Sequence, residues 1–286
     1  MKCLYREKKY ISGDYLDVYI YPAFKQARGR KKRAKPTSEV QAALNQKVAE
    51  DKFVRILNAN FTGDDIEIHL TYNNDNLPDS EDDVRRDIRN FFRCVKRMRA
   101  KLGLPELKYV YVIEGEPNGR RFHVHATMSG GLDRTELERL WGFGYANSRQ
   151  LQFNSNGVEG IGRYVTKQYR EKNAATDIQK AYKKRWCGSK NLIHPKPQER
   201  TGKLSRRKVE ELATMDSASS AAFEKIYSGY RFSECRPFYN EFNGYYYLHV
   251  KMYSTGAELA NTKKRNKGGR SEHERRQRTR IAVQLG

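Results

Sequence analysis

The chain has 286 residues, enough to bury one large core or two small ones, and carries 56 Lys and Arg against 34 Asp and Glu, a formal net charge of +22. No apolar run approaches the roughly 18 residues of a membrane span, nothing resembles a signal peptide, and Cys3, Cys94, Cys187 and Cys235 lie far apart without C-x-x-C spacing. The expectation is a soluble cytoplasmic protein with reduced thiols, and neither a disulfide framework nor a cysteine zinc site.

The charge is unevenly spread. Residues 25–35 hold seven bases and no acid, residues 163–208 fifteen bases against three acids, and residues 257–286 nine against three, which leaves −3 for the rest of the chain. A near-neutral body with three basic segments suits a polyanion, because cations that neutralise phosphates release condensed counterions.

Residues 15–21 (Y-L-D-V-Y-I-Y) are rich in β-formers and predict a strand, after which the basic stretch ending at Pro36 reads as a loop or arm. A helix is expected over 38–57. In I-E-I-H-L-T-Y, residues 66–72, Ile66, Ile68, Leu70 and Tyr72 share one face and Glu67, His69 and Thr71 the other, the alternation of a strand. Ser80 and Asp83 then stand at capping-box spacing, and Val84, Ile88, Phe91, Val95, Met98 and Leu102 repeat at helical intervals up to Gly103. Acids cluster at the start of this helix and bases at its end, as the helix dipole favours.

A β-rich run at 108–114, a P-N-G turn and an answering strand at 121–128 propose a hairpin. Asp133 with Glu136 opens a short helix through Leu140, W-G-F-G-Y leads into an extended segment, and a helix is expected from about Val158 to Lys172. Beyond Pro197 follow a helix near 205–213, one or two aromatic strands within 239–253, and a basic tail expected to be disordered from 255. Strands and helices mix without βαβ alternation. The fold class expected is α+β, a mainly antiparallel central sheet of about five strands flanked by helices. The organisation expected is an N-terminal strand, basic arm and helix (1–60), a core (61–215), C-terminal strands packing on it (216–254) and the tail (255–286).

The stretch R-R-F-H-V-H-A-T-M puts His123 and His125 on one face of a strand with Arg121 and Thr127, opposite Phe122, Val124, Ala126 and Met128. Two neutral imidazoles side by side can chelate one divalent cation. Glu114 ends the partner strand nine residues earlier and can reach the same ion; Glu116 competes but sits in the turn. Two histidines and a carboxylate make a mixed site open to Mn²⁺ or Mg²⁺ with positions left for phosphate oxygens. Tyr164 and Lys167, three apart on one helix face, could bring an ammonium beside a phenol.

A strand like I-H-L-T-Y followed by acids and L-P, then E-x(8)-H-V-H, then Y-V-T-K-Q, resembles the three ordered motifs of the HUH endonucleases, in particular the rolling-circle replication initiators of small phages and plasmids. The similarity spans residues 66–169, and R-W-C-G-S-K-N-L and Y-N-E-F-N-G-Y-Y-Y look like the downstream part of the same group. The resemblance implies a ferredoxin-like sheet and a bacterial host cell, with His123, His125 and Glu114 as metal ligands. It also implies Tyr164 as the nucleophile that forms a 5′-phosphotyrosine bond, with Lys167 assisting. Single-stranded or hairpin origin DNA would be the substrate, with Arg121, Arg163, Arg170, Lys183, Lys184 and Arg185 as expected contacts. No G-x-x-x-x-G-K-[ST] loop occurs, so unwinding is expected from a host helicase or supercoiling, and a host polymerase would extend the freed 3′-OH.

Tyr169 lies roughly 140° round the helix from Tyr164, which favours a single nucleophile. His69 could approach the metal, although a supporting, DNA-contacting or structural role is the expectation. Relaxases and transposases share this chemistry. The triplets H-L-T (69–71) and H-A-T (125–127) also resemble the 2H phosphoesterases, in which paired histidines act as acid and base without metal. That alternative leaves His123, Glu114, Tyr164 and Lys167 unexplained, and a non-catalytic nucleic-acid binder explains only the charge.

Overall fold

The computed structural model describes residues 4–24, 39–115, 121–165, 186–214 and 218–256, with backbone alone at 39–44, 164–165 and 218–219. Its strands are β1 (Leu4–Ser12), β2 (Tyr15–Ala23), β3 (Ile66–Thr71), β4 (Tyr109–Glu114), β5 (His123–Met128), β6 (Ala146–Gln150), β7 (Cys187–Gly188), β8 (Gln198–Thr201), β9 (Tyr230–Asn240) and β10 (Tyr245–Ser254). Four of its helices are α1 (Glu39–Asn60), α2 (Glu81–Lys101), α3 (Arg134–Arg139) and α4 (Glu159–Val165), and Arg206–Thr214 and Ala218–Ile226 form two more. No helix among the described residues is long and apolar enough to cross a membrane.

The strands form two five-stranded sheets, ordered β6-β3-β5-β4-β7 and β8-β1-β2-β10-β9, and every pairing is antiparallel. The α+β class and antiparallel sheet thus stand as expected. A second sheet of equal size accompanies the first, made by pairing β2 near the N-terminus with β10 near the C-terminus.

The first sheet follows its sequence pattern. Ile66, Ile68 and Leu70 of β3, Tyr111 and Ile113 of β4 and Val124, Ala126 and Met128 of β5 face one way and are buried with Val84, Ile88, Phe91, Phe92 and Val95 of α2. Each such side chain contributes roughly 1.5–3 kcal/mol by leaving water. The Ser80 hydroxyl caps α2 by accepting from the Asp83 backbone N–H, and the Asp133 carboxylate caps α3 by accepting from that of Glu136. Leu102 ends the periodic run exposed, just past the helix.

Helix α1 lies between the two sheets. Phe53, Ile56 and Leu57 pack on Val110 and Val112, on the other face of the first sheet. Its polar side meets the second sheet, where the Tyr19 hydroxyl donates to Asp51 Oδ2 (3.0 Å) and the Arg55 guanidinium covers the Tyr10 ring (3.8 Å). A helix sandwiched in this way buries Gln46, Glu50, Asp51, Arg55 and Asn58 beside its apolar residues, which is why its sequence lacks a clean amphipathic stripe. The far face of the second sheet buries Leu16, Val18, Ile20, Leu248, Val250 and Met252 under Val209, Leu212 and Phe223 of the two C-terminal helices.

Candidate active site

The face of the first sheet turned toward α1 and α4 carries the polar residues of its central strands. In the register between β3 and β5, His69 lies directly opposite His125, and between β4 and β5, Glu114 lies directly opposite His123. Directly opposed residues bring their Cβ atoms within about 5.5 Å, so strand pairing alone assembles the cluster. The ligand nitrogens of His69, His123 and His125 all lie within 4.8 Å of one another. Glu114 Oε2 lies 3.1 Å from His123 Nε2 and 4.0 Å from His125 Nε2.

His123 Nδ1 lies 3.1 Å from the Arg121 carbonyl, which can accept only if that nitrogen carries the proton. In the neutral ring Nε2 then presents a lone pair to the Glu114 carboxylate, and two lone pairs at that distance need a proton or a cation between them. Burial, reinforced by the neighbouring His69, lowers the His125 pKa to about 4, with Glu114 opposing. Burial and then His123 lower that of His69. Neutral imidazoles are the form that ligates a metal. His69 Nε2 is buried with no hydrogen-bonding partner among the described residues. Three nitrogens and one carboxylate oxygen converging on one point fit a divalent cation, so the observed donor set has one histidine more than the sequence assigned.

The His69 and His125 rings stack with centroids 4.4 Å apart and planes 7° off parallel. That spacing leaves no room for a phosphate between them, as an acid–base pair acting from either side would require. The arrangement suits joint ligation better than the 2H reading.

Helix α4 brings the third motif to this face. A small cavity beside the cluster is lined by His125, Thr127, Val110, Phe53 and Ile161, and Tyr164 occupies the last turn of α4, one helical turn on from Ile161. The side chain of Tyr164 and all of Lys167, Arg170, Lys183, Lys184 and Arg185 lie outside the described residues, as do Glu116, Tyr169, Tyr182, Cys3 and the basic stretches 25–35 and 257–286.

Two expected DNA contacts are described. Arg121 is exposed at the mouth of the site and donates to Asn74 Oδ1 at 2.5 Å. Arg163 instead points into a nest of carboxylates: it pairs with Glu159 one turn back, with Glu50 at 3.3 Å and with Asp51 at 3.5 Å. A guanidinium so compensated has little charge left for a phosphate, and its place is structural. Cys94, Cys187 and Cys235 are free thiols.

Sequence reasoning left the role of His69 open because it depends on strand register. The available signal was the alternation of I-H-L-T, which puts His69 on the polar face. Choosing among its roles needed the pairing with β5.

Residues 66–173 match the family of the replication-associated protein ORF2. No curated protein and no solved structure matches the chain. The matched segment contains β3, α2, the β4–β5 hairpin and α4, hence every residue of the histidine cluster and Tyr164, and this similarity supports a replication-associated, initiator-type role for the protein.

Proposed function

We propose that the protein is a metal-dependent nickase and ligase of single-stranded DNA that initiates rolling-circle replication through Tyr164. The observation that carries this reading is the convergence of His69, His123, His125 and Glu114 on one point beside the helix that bears Tyr164, inside the replication-associated match.

When bound, the divalent cation supplies Lewis-acid stabilisation of charge on a non-bridging phosphate oxygen. The chain's own groups do the rest. His69, His123 and His125 offer neutral nitrogens because the site holds His69 and His125 below the usual histidine range, and Glu114 offsets part of the positive charge. The Tyr164 phenol gives up its proton and forms an O–P bond, while the P–O3′ bond breaks and the departing 3′ oxygen takes a proton. The products are a 5′-phosphotyrosine linkage and a free 3′-OH that can prime synthesis. One covalent ester replaces another, so the same site can run backwards and reseal the strand. Lys167, three residues beyond Tyr164, can stabilise the phenolate or the phosphate it attacks.

A nitrogen-rich set favours Mn²⁺ over Mg²⁺, whose preference is for oxygen ligands. The substrate is single-stranded or hairpin origin DNA, opened by a host helicase and extended by a host polymerase. Incubation with single-stranded DNA and Mn²⁺ tests the proposal: a denaturant-resistant protein–DNA adduct is expected, lost with EDTA and lost in Tyr164→Phe. A relaxase or transposase would pass this test too, and is separated by whether the 3′-OH released primes polymerase extension on a circular template.

A further inference from the structure

The outward face of α2 presents cations without ion-pair partners among the described residues. After Glu81, Asp82 and Asp83 in its first turn, the segment from Ile88 to Lys101 contains six bases and no acid. Arg99 is buried and donates to the carbonyls of Pro105 and Ser129. The other five, Arg89, Arg93, Lys96, Arg97 and Lys101, are exposed. Ion pairs made by α2 among the described residues are Arg85–Glu81, Arg86–Asp83 and Arg86–Asp87, all in its first two turns. Further along, Arg93 meets only Asn90, Arg97 meets Cys94 Sγ, and Lys96 leans over the Tyr109 ring.

This arrangement opposes helix stability. Arg89–Arg93, Arg93–Arg97 and Arg97–Lys101 are like-charge pairs at i,i+4, each of which disfavours the helix. The helix dipole rewards cations only in the last turn, so it accounts for Lys101 and not for Arg89 or Arg93. A polyanion removes the repulsion. Residues four apart rise about 6 Å along the axis, so the stripe is a straight row of charges suited to a sugar–phosphate backbone.

We infer that the face formed by Arg89, Arg93, Arg97 and Lys101 docks the phosphate backbone of double-stranded DNA. A duplex fits better than a single strand because the aromatic residues of α2, Phe91 and Phe92, are buried and leave no stacking platform along the stripe. Helix α2 also covers the face of the sheet opposite the histidine cluster, so it contacts DNA that is not in the cleavage site. The stripe grips duplex flanking the melted segment, and the inference does not depend on Tyr164 being a nucleophile.

The test is fluorescence anisotropy of a short duplex against salt concentration. The variant Arg89→Gln/Arg93→Gln/Arg97→Gln/Lys101→Gln should lower the slope of log affinity on log salt by about 3 to 4, since each lost phosphate contact removes about 0.9. Affinity should fall at least tenfold near physiological salt, with the thermal midpoint and single-strand adduct formation retained. Arg89→Gln/Arg93→Gln alone should remove about half of the slope change, which keeps the inference testable should the fourfold variant fold poorly. The charge-conserving variant Arg89→Lys/Arg93→Lys/Arg97→Lys should bind as wild type does. An unchanged slope, no duplex binding by the wild type, or an equal loss for an unstructured single strand would overturn it. Failure of Tyr164 to form an adduct would leave this binding result intact.

Discussion

The Lys251 ammonium of β10 and the Glu159 carboxylate of α4 form a buried ion pair that ties the second sheet to the helix bearing Tyr164. Glu159 also holds Arg163, which reaches Glu50 and Asp51 of α1, and Arg236 of β9 approaches Glu159 at 3.7 Å. Removing one partner of a buried pair typically costs about 3–5 kcal/mol. Because Glu159 keeps Arg163, Lys251→Met is expected at the lower end, about 3 kcal/mol by urea unfolding. It should also slow adduct formation, while Lys251→Arg recovers most of both. Unchanged stability in Lys251→Met would remove the role assigned to this pair.

Acid should undo the same tie. Burial alone would raise the Glu159 carboxyl, but Lys251 and then Arg163 outweigh it and hold it below the usual carboxylate range. A depressed folded pKa contributes stability that is present above the unfolded value of about 4.3 and is lost as pH falls through the folded one. Glu159→Gln should flatten the stability curve below about pH 4, and a curve superimposable on wild type in that window would contradict this.

Entry into α4 depends on Gly157. Its φ of +71° lies in the left-handed region, and a Cβ there would come within 2.3 Å of Asn58 Oδ1, which accepts from the Val158 N–H at 3.0 Å. Gly157→Ala should therefore destabilise by roughly 1–3 kcal/mol, through strain and loss of the Asn58 tether. Equilibrium unfolding checks this, and a neutral result would mean the turn is not held by Asn58.

His69 separates the four-ligand site from the smaller set legible in sequence. His69→Ala is expected to weaken Mn²⁺ binding at least tenfold by calorimetry, a larger loss than replacing an outer partner. Were His69 a DNA contact alone, metal affinity would not move and only DNA affinity would fall.

The metal-free protein should lose stability as pH falls from about 6.5 toward 4, because unfolding exposes His125 to a proton it refuses when buried. Integrated over that window the loss is about 3 kcal/mol. Saturating Mn²⁺ should add stability near neutral pH and lose that advantage as protons compete for the imidazoles. Thermal unfolding across this range reads both, and a flat metal-free profile in wild type would contradict the burial of a neutral His125.

The elements that sequence made plain are those whose information is local. The alternation of residues 66–72, the capping boxes at Ser80 and Asp133, and the H-V-H strand answering Y-V-Y-V-I-E each carry their own pattern, and each formed where expected. Strand β1 carries no such pattern: L-Y-R-E-K-K-Y-I-S keeps charged side chains on an inner strand because Glu7 is satisfied by the Tyr227 hydroxyl and Lys203, some two hundred residues away. The second sheet was illegible for the same reason, since pairing β2 with β10 is not encoded near either strand. Arg163 misled because it opens the most basic stretch of the chain, while Glu50 and Asp51, which bind it, belong to a helix more than a hundred positions earlier.

The measurement that bears most directly on the account is tandem mass spectrometry of the tryptic peptide from a nicking reaction stopped on single-stranded origin DNA. The account predicts one nucleotide adduct, joined through its 5′ phosphate to the Tyr164 oxygen and formed only with divalent metal. An adduct on another side chain, a 3′ linkage, or equal yield in the presence of EDTA would contradict it.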